Sequence, residues 1–296
     1  IQCGKRRVYF LHEGDSHAMK TKRFLFLFFL GFFLLRASSA FAWEVWTTTP
    51  WLALVSRFIG GVFVAVRPIE FWSEDGQVVR KVQNRAIPKD SRIIALDTEE
   101  ASRLGLNQKE WMSLALLYRT APFDKKRLDY FFADPSSLPF IAQKVFTVLS
   151  HFDPANYPYY QRRLSEFQTR LDSTVIVGRR LLSGSAFIYI GGDFSGMLTA
   201  AGCSMESRDE SLNTLWEQGK ELDLLFALLE DALKRRIPVI VDTSSKKLKE
   251  ALRNNKEILF LEKPALDQDI LLFFHDQYIF LWNRLAALRQ LRTPQK

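Results

Sequence analysis

Few residues in this chain can do chemistry with nitrogen or sulfur. It has four His and two Cys. His12, His17 and Cys3 precede or enter an N-terminal segment that reads as a leader, which leaves His151, His275 and Cys203. One thiol can form neither an intramolecular disulfide nor a Cys-based zinc site. Its neighbours Ala200, Ala201 and Met205 mark a buried structural residue rather than a catalytic thiol, which would need a His beside it in space. The run Gly191-Gly192-Asp193-Phe194-Ser195-Gly196 has the glycines of a nucleotide or hydrolase loop. It lacks the Lys-Ser/Thr of a phosphate-binding loop, and Ser195 is out of place for a Gly-x-Ser-x-Gly elbow. His275-Asp276 looks like half of a metal phosphohydrolase pair, a chemistry that needs several more His. No Ser has the context of a triad, and no spacing singles out a pair of carboxylates for acid–base work. The residues describe a binding protein, not an enzyme.

The elements that must position a binding site follow a leader. Met19 is followed by Lys20, Lys22 and Arg23, then by a 12-residue apolar run from Phe24 to Leu35, then by Ala40-Phe41-Ala42. The run is short for a bilayer span, and the small-x-small end fits a signal peptidase site. Trp43 is the expected first mature residue. Residues 1–18, upstream of that Met, look like an over-extended reading frame or an unusual start. No Cys follows the cleavage site to carry a lipid, so retention near the cell implies the periplasm of a two-membrane bacterium. The leader region carries seven Lys/Arg and two Asp/Glu, a net of +5, so the formal +8 of the whole chain leaves +3 for the mature part. That is no nucleic-acid footprint.

From Trp43 onward, strands and helices alternate. Glu44–Thr49 reads as a strand and Pro50 opens a helix with Leu52, Leu54, Val55, Phe58 and Ile59 on one face, ending at Gly60-Gly61. Val62–Ile69 is a buried strand, and Glu70–Gly76 a polar, aromatic loop at its carboxyl end, where open α/β sheets bind ligands. Ser91–Asp97 is another strand; Trp111–Tyr118 is apolar but ambiguous. Helix starts at Asp134-Pro135-Ser136 and Asp153-Pro154-Ala155-Asn156 precede helices over 139–152 and 157–182. The second would be roughly 38 Å long at 1.5 Å per residue, a spine between two halves. Strands at 186–190, 238–242 and 258–261 and helices at 194–201, 222–236, 245–254 and 269–290 complete the chain. The predicted fold class is α/β: an N-terminal lobe over 43–152, a spine helix over 153–183 and a C-terminal lobe over 184–296, with parallel sheets in both lobes.

Several blocks resemble one family. The opening Thr47–Gly61 (TTTPWLALVSRFIGG), Asp134-Pro135-Ser136 with Ala142, Asp153-Pro154-Ala155-Asn156 with Tyr160, Leu164 and Leu171-Asp172, and Tyr278, Asn283 and Leu285–Leu288 are similar to the TroA-like (cluster A-I) solute-binding proteins of zinc and manganese ABC importers. The spine block is the most specific, and the likeness covers nearly all of 43–291. It implies a ligand gripped between two lobes, Zn²⁺ or Mn²⁺ as cargo, no organic cofactor, a monomer, and an ABC permease in the inner membrane as partner.

The chain departs from that family where metal is held. The family grips metal with three His and a carboxylate, which suit Zn²⁺ or Mn²⁺. At the four matching positions stand Glu74 in the Glu70–Gly76 loop, Tyr130 before the Asp134 helix, Gly192 before Asp193, and Glu262-Lys263-Pro264. A hard cation would therefore fall to oxygen ligands, Glu74, Asp193 and Glu262, with Glu70, Asp75, Tyr130 and Gly192 lining the cleft. Tyr130, Phe131, Phe132, Phe71 and Trp72 describe either an aromatic-lined cleft or lobe core. The resemblance implies an importer's solute-binding protein; its alternative is a degenerate scaffold that binds another ligand or acts as an interaction partner. Intact-mass measurement of the exported protein should give a chain beginning at Trp43; a mass that retains residues upstream of Ala42 would contradict the cleavage site.

Overall fold

A computed structural model describes residues 42–123, 128–207, 210–255 and 257–291. Residues 1–41, where the leader is expected, lie outside the described residues. The first strand, β1 (Trp43–Thr47), leads directly into α1 (Pro50–Gly60). Thr49 makes that turn sharp: its backbone is extended and its hydroxyl accepts the Leu52 N–H at 3.2 Å, while Pro50 supplies a helical φ where no donor is needed. After β2 (Val64–Pro68) the chain does not loop out as expected. Glu70–Trp72 (β3) and Val78–Arg80 (β4) form an antiparallel hairpin with Ser73–Gln77 at its tip. Then come β5 (Arg92–Ala95), α2 (Thr98–Arg103), β6 (Leu114–Leu116), α3 (Leu128–Ala133) and α4 (Leu138–Phe152). The first sheet has the order β2-β1-β5-β6, every pair parallel.

The 26-residue helix α5 (Tyr157–Leu182) crosses to the second half. There β7 (Ala186–Ile190), α6 (Ser195–Ala200), β8 (Ser204–Ser207), α7 (Glu210–Glu217), α8 (Leu222–Arg235), β9 (Val239–Val241), α9 (Lys246–Leu252), β10 (Ile258–Phe260) and α10 (Ile270–Leu291) follow. The second sheet is also all parallel, in the order β10-β9-β7-β8. Strand β8 escapes a periodicity reading because Ser204-Met205-Glu206-Ser207 is too polar for a buried parallel strand; it pairs only with β7, at the sheet's edge.

Alternation along the strands covers both faces of each sheet. Val45 of β1 and Phe187 and Tyr189 of β7 join one large core, which also takes in α1, α4, α5 and α10. Trp46 faces a second core with Ile69, Ile93 and Trp111, whereas Ile188 and Ile190 face a third with Trp216, Leu225 and Val241. The shared core runs through both lobes. Along α5 it is met by Tyr160, Leu164, Phe167, Leu171, Thr174, Gly178 and Leu182, a stripe spaced three and four residues apart.

Two contacts seat the spine. At its start, Asp153 accepts hydrogen bonds from Tyr160 Oη at 2.6 Å, Asn156 Nδ2 at 2.8 Å and Trp43 Nε1 at 3.1 Å. That cluster is the physical content of the Asp-Pro-x-Asn…Tyr pattern. Near its end, Gly178 lets α10 approach, since a Cβ there would stand 2.7 Å from the Tyr278 ring. Gly178→Ala is therefore expected to destabilise the fold by about 1–3 kcal/mol through overpacking, although Ala is ~1 kcal/mol the better helix former. Urea unfolding measures this, and equal or greater stability in the variant would contradict the close packing.

Candidate functional site

The loops at the carboxyl ends of β7, β9 and β10 meet one another between the lobes. Directly after β9 comes Asp242, which is 3% exposed. Its carboxyl accepts the Gly192 N–H at 3.0 Å, the Phe194 N–H at 2.8 Å and the Tyr189 hydroxyl. The β7–α6 loop can wrap this carboxyl only because residue 191 is Gly. Its φ is +121°, and a Cβ would fall 1.8 Å from Asp242 Oδ1. Burial pushes the Asp242 carboxyl up to about 7, although the Phe194 and Gly192 amides and the Lys263 charge pull the other way.

The centre of the site is Lys263, directly before Pro264 in the loop after β10. Its side chain is 8% exposed, and Nζ lies 2.5 Å from Asp193 Oδ2 and 3.2 Å from Asp129 Oδ2. Phe194 presents its ring 5.3 Å away. Burial alone would pull the ammonium's pKa down; Asp129 and Asp193 outweigh it and hold the pKa above its ordinary value. Asp193 belongs to the β7–α6 loop, Asp129 to α3 of the first lobe. The Trp51 indole donates to Asp129 and fixes it in turn.

The hairpin tip of the first lobe reaches the same region. Gln77 Nε2 donates to the Ser244 carbonyl at 3.4 Å, Ser244 Oγ to the Gly76 carbonyl at 3.1 Å, and Lys249 Nζ to the Asp75 carbonyl at 3.0 Å. Beside the ion pairs opens a cavity of about 1020 Å³, lined by residues including Gln77, Tyr130, Gly192, Asp193, Asn213 and Thr243.

The residues expected at the site are thus distributed unevenly. Tyr130, Gly192 and Asp193 line the cavity. Glu74 and Glu262 are exposed and share a smaller recess of about 270 Å³ with Lys249 and Lys263. Asp75 lies beside them, in a crevice with Asp193, Glu262 and Lys263. Glu70 is not a cleft residue: it is 3% exposed and takes a bidentate pair from Arg103 at 2.6 and 2.9 Å. Among the described residues, no three of His, Cys, Asp and Glu stand close enough together to hold a metal ion. Of the five aromatic candidates, only Tyr130 lines the cavity. Phe132 packs on Trp51 and Phe131 stacks on Phe123 at 3.6 Å, as core residues do; Trp72 also packs on Trp51 but lines the smaller recess. His151 lies exposed on α4; on α10, His275 meets only its neighbour Asp276, at 3.4 Å. Burial pushes the Cys203 thiol up to about 12, as suits a structural residue.

Lys263, Asp129 and Asp242 are the side chains of this candidate site that motif reading missed. The first two had a signal. Lys263 is the residue immediately before Pro264, and Asp129 lies five positions before Asp134 and next to Tyr130. An expectation built around metal ligands passes over a lysine.

Asp242 gives a pH test. Its folded pKa of about 7 exceeds the ordinary 3.8, so the native state holds a proton that the unfolded chain releases between those values. The stability this proton contributes is fully present below the lower value and is lost as pH rises through the higher one. In Asp242→Asn that slope is absent, so the melting temperature of wild type should fall relative to that of the variant from pH 4 to pH 7. A difference that stays constant would contradict the assignment.

The fold has clear counterparts among solved structures. ZnuA superposes with a TM-score of 0.62 at 15% identity, covering 82% of this chain and 98% of that one. The laminin-binding protein Lmb of Streptococcus agalactiae, described as bifunctional with adhesin and metal-transporting activity, gives 0.59 at 13%, covering 82% and 99%. The Zn(II)-bound ZnuA-like domain of Streptococcus pneumoniae AdcA gives 0.56 at 12%, covering 82% and 98%. No protein-family model and no curated protein matches the sequence. The chain thus has the two-lobed α/β fold of ZnuA and of the streptococcal Lmb and AdcA proteins, the fold that its resemblance to the TroA-like family predicts.

Proposed function

We propose that this protein is a solute-binding protein of the metal-importer type, with lobes over 43–152 and 184–296 and the spine between them. It acts in the periplasm as a monomer after loss of its leader, captures its ligand between the lobes, and delivers it to an ABC permease in the inner membrane. The observation that carries this reading is the polar cavity at the carboxyl end of the second parallel sheet, reached from the first half by Gln77 and Tyr130, the usual ligand position in open α/β folds.

The cargo differs from that of a His-lined cleft. A divalent ion here would have to be held by Asp193 and Glu262 with Glu74, all oxygen donors, and would face the Lys263 ammonium already paired to Asp193. Selectivity for Zn²⁺ leans on nitrogen or sulfur donors. The protein is therefore a poor zinc receptor, and its cavity takes a polar ligand larger than a bare ion. The occupied centre also favours a second reading, a scaffold whose lobes serve a protein partner.

The test uses the mature chain purified without a His tag. Its metal content should be far below one per chain, and its melting temperature should not move with Zn²⁺ or Mn²⁺. A site filled at 100 times its Kd would add about 2.7 kcal/mol, a visible shift. One tightly bound metal per chain in the cleft would overturn the reading of the cargo.

A further inference from the structure

The inter-lobe centre already holds a cation, and that cation belongs to the chain. A lysine this buried needs partners, because an uncompensated ammonium in a dry site releases its proton or turns outward. Lys263 has them from both lobes: Asp129 of α3 at 3.2 Å and Asp193 of the β7–α6 loop at 2.5 Å. Asp242 adds a third carboxyl within electrostatic reach, and the Phe194 ring packs on the charge. Each anchoring residue is itself held. Trp51 donates to Asp129, and the loop that carries Asp193 is wrapped on Asp242 through Gly192 and Phe194.

We infer that Lys263 is a tethered cation: its ammonium occupies the carboxylate-lined centre in place of a cargo metal and, by pairing with one aspartate from each lobe, latches the lobes together without a ligand. The geometry is that of an ammonium. Its nitrogen–oxygen contacts of 2.5 and 3.2 Å are longer than the bonds of about 2.0–2.2 Å that carboxylate oxygens make to a Zn²⁺ ion. A metal could enter only by expelling Nζ, and the displaced ammonium would then repel it from close range. The hairpin contacts of Gly76, Gln77 and Asp75 with Ser244 and Lys249 sit beside this pair and depend on the same lobe arrangement. The inference concerns the cleft alone and holds whether or not a membrane permease is the partner.

The test compares mature wild-type protein with Lys263→Ala, which empties the centre and leaves both aspartates. Wild type should show no melting shift with Mn²⁺ or Zn²⁺. The variant should melt several degrees lower, and Mn²⁺, which takes carboxylate oxygens and water, should restore part of that loss. By hydrogen exchange, the amides of residues 73–77 should exchange faster in the metal-free variant. A folded variant that ignores Mn²⁺, or a wild type that responds to either ion, would overturn the tethered cation; equal exchange in the two proteins would overturn the latch. If the variant does not fold, amine labelling of wild type decides. Lys263 should react far more slowly than the exposed Lys89, with or without Zn²⁺, and equal labelling would overturn the inference.

Discussion

An ammonium removed from water must be compensated on every side, and that requirement organises the centre of this protein. Lys263 satisfies it by drawing on elements far apart in sequence: α3, the β7–α6 loop and the loop after β10. Each of those pieces needs its own support. Asp129 is fixed by Trp51 of α1, and Asp193 by a loop folded around the buried Asp242, which in turn needs glycine at position 191. The ion pairs therefore link the interiors of both lobes, and a change at the centre is felt in each. Such pairs add little net stability over apolar packing, but breaking one member is costly. Their contribution is to fix which arrangement the lobes adopt.

The scaffold around them is rigid for reasons visible in the core. One apolar cluster runs from the first sheet through α5 and α10 to the second. Arg163 reaches from α5 to the Phe58 carbonyl at 2.9 Å, and Arg170 pairs with Asp269 at 3.1 Å, so the spine is tied to both lobes along its length. On the cleft side, by contrast, the halves meet through polar contacts. The Ser73–Gln77 tip is held to the second lobe by hydrogen bonds alone.

Sequence reading recovered the regular elements where a strong period or a helix start existed. The long helix over 157–182 was legible because Asp153-Pro154-Ala155-Asn156 opens it and an unbroken apolar stripe follows. The β3–β4 hairpin was not, since Glu70–Gly76 is polar and aromatic; its Glu70 is buried only because Arg103, distant in sequence, neutralises it. The site was legible in outline. Asp193, Tyr130 and Gly192 do border the cavity. Its chemistry was hidden for a physical reason: a lysine is normally a solvated surface residue, and nothing local marks Lys263 as buried. Its burial is decided by carboxylates that arrive from elsewhere in the fold.

The most direct test of a cleft filled by its own lysine is a crystal structure of the mature protein grown with excess Zn²⁺ or Mn²⁺, with anomalous scattering collected at the metal edge. The account predicts Lys263 Nζ in contact with Asp129 and Asp193 and no anomalous peak between the lobes. A peak bonded to Asp193 or Glu262, with Lys263 swung away, would contradict it.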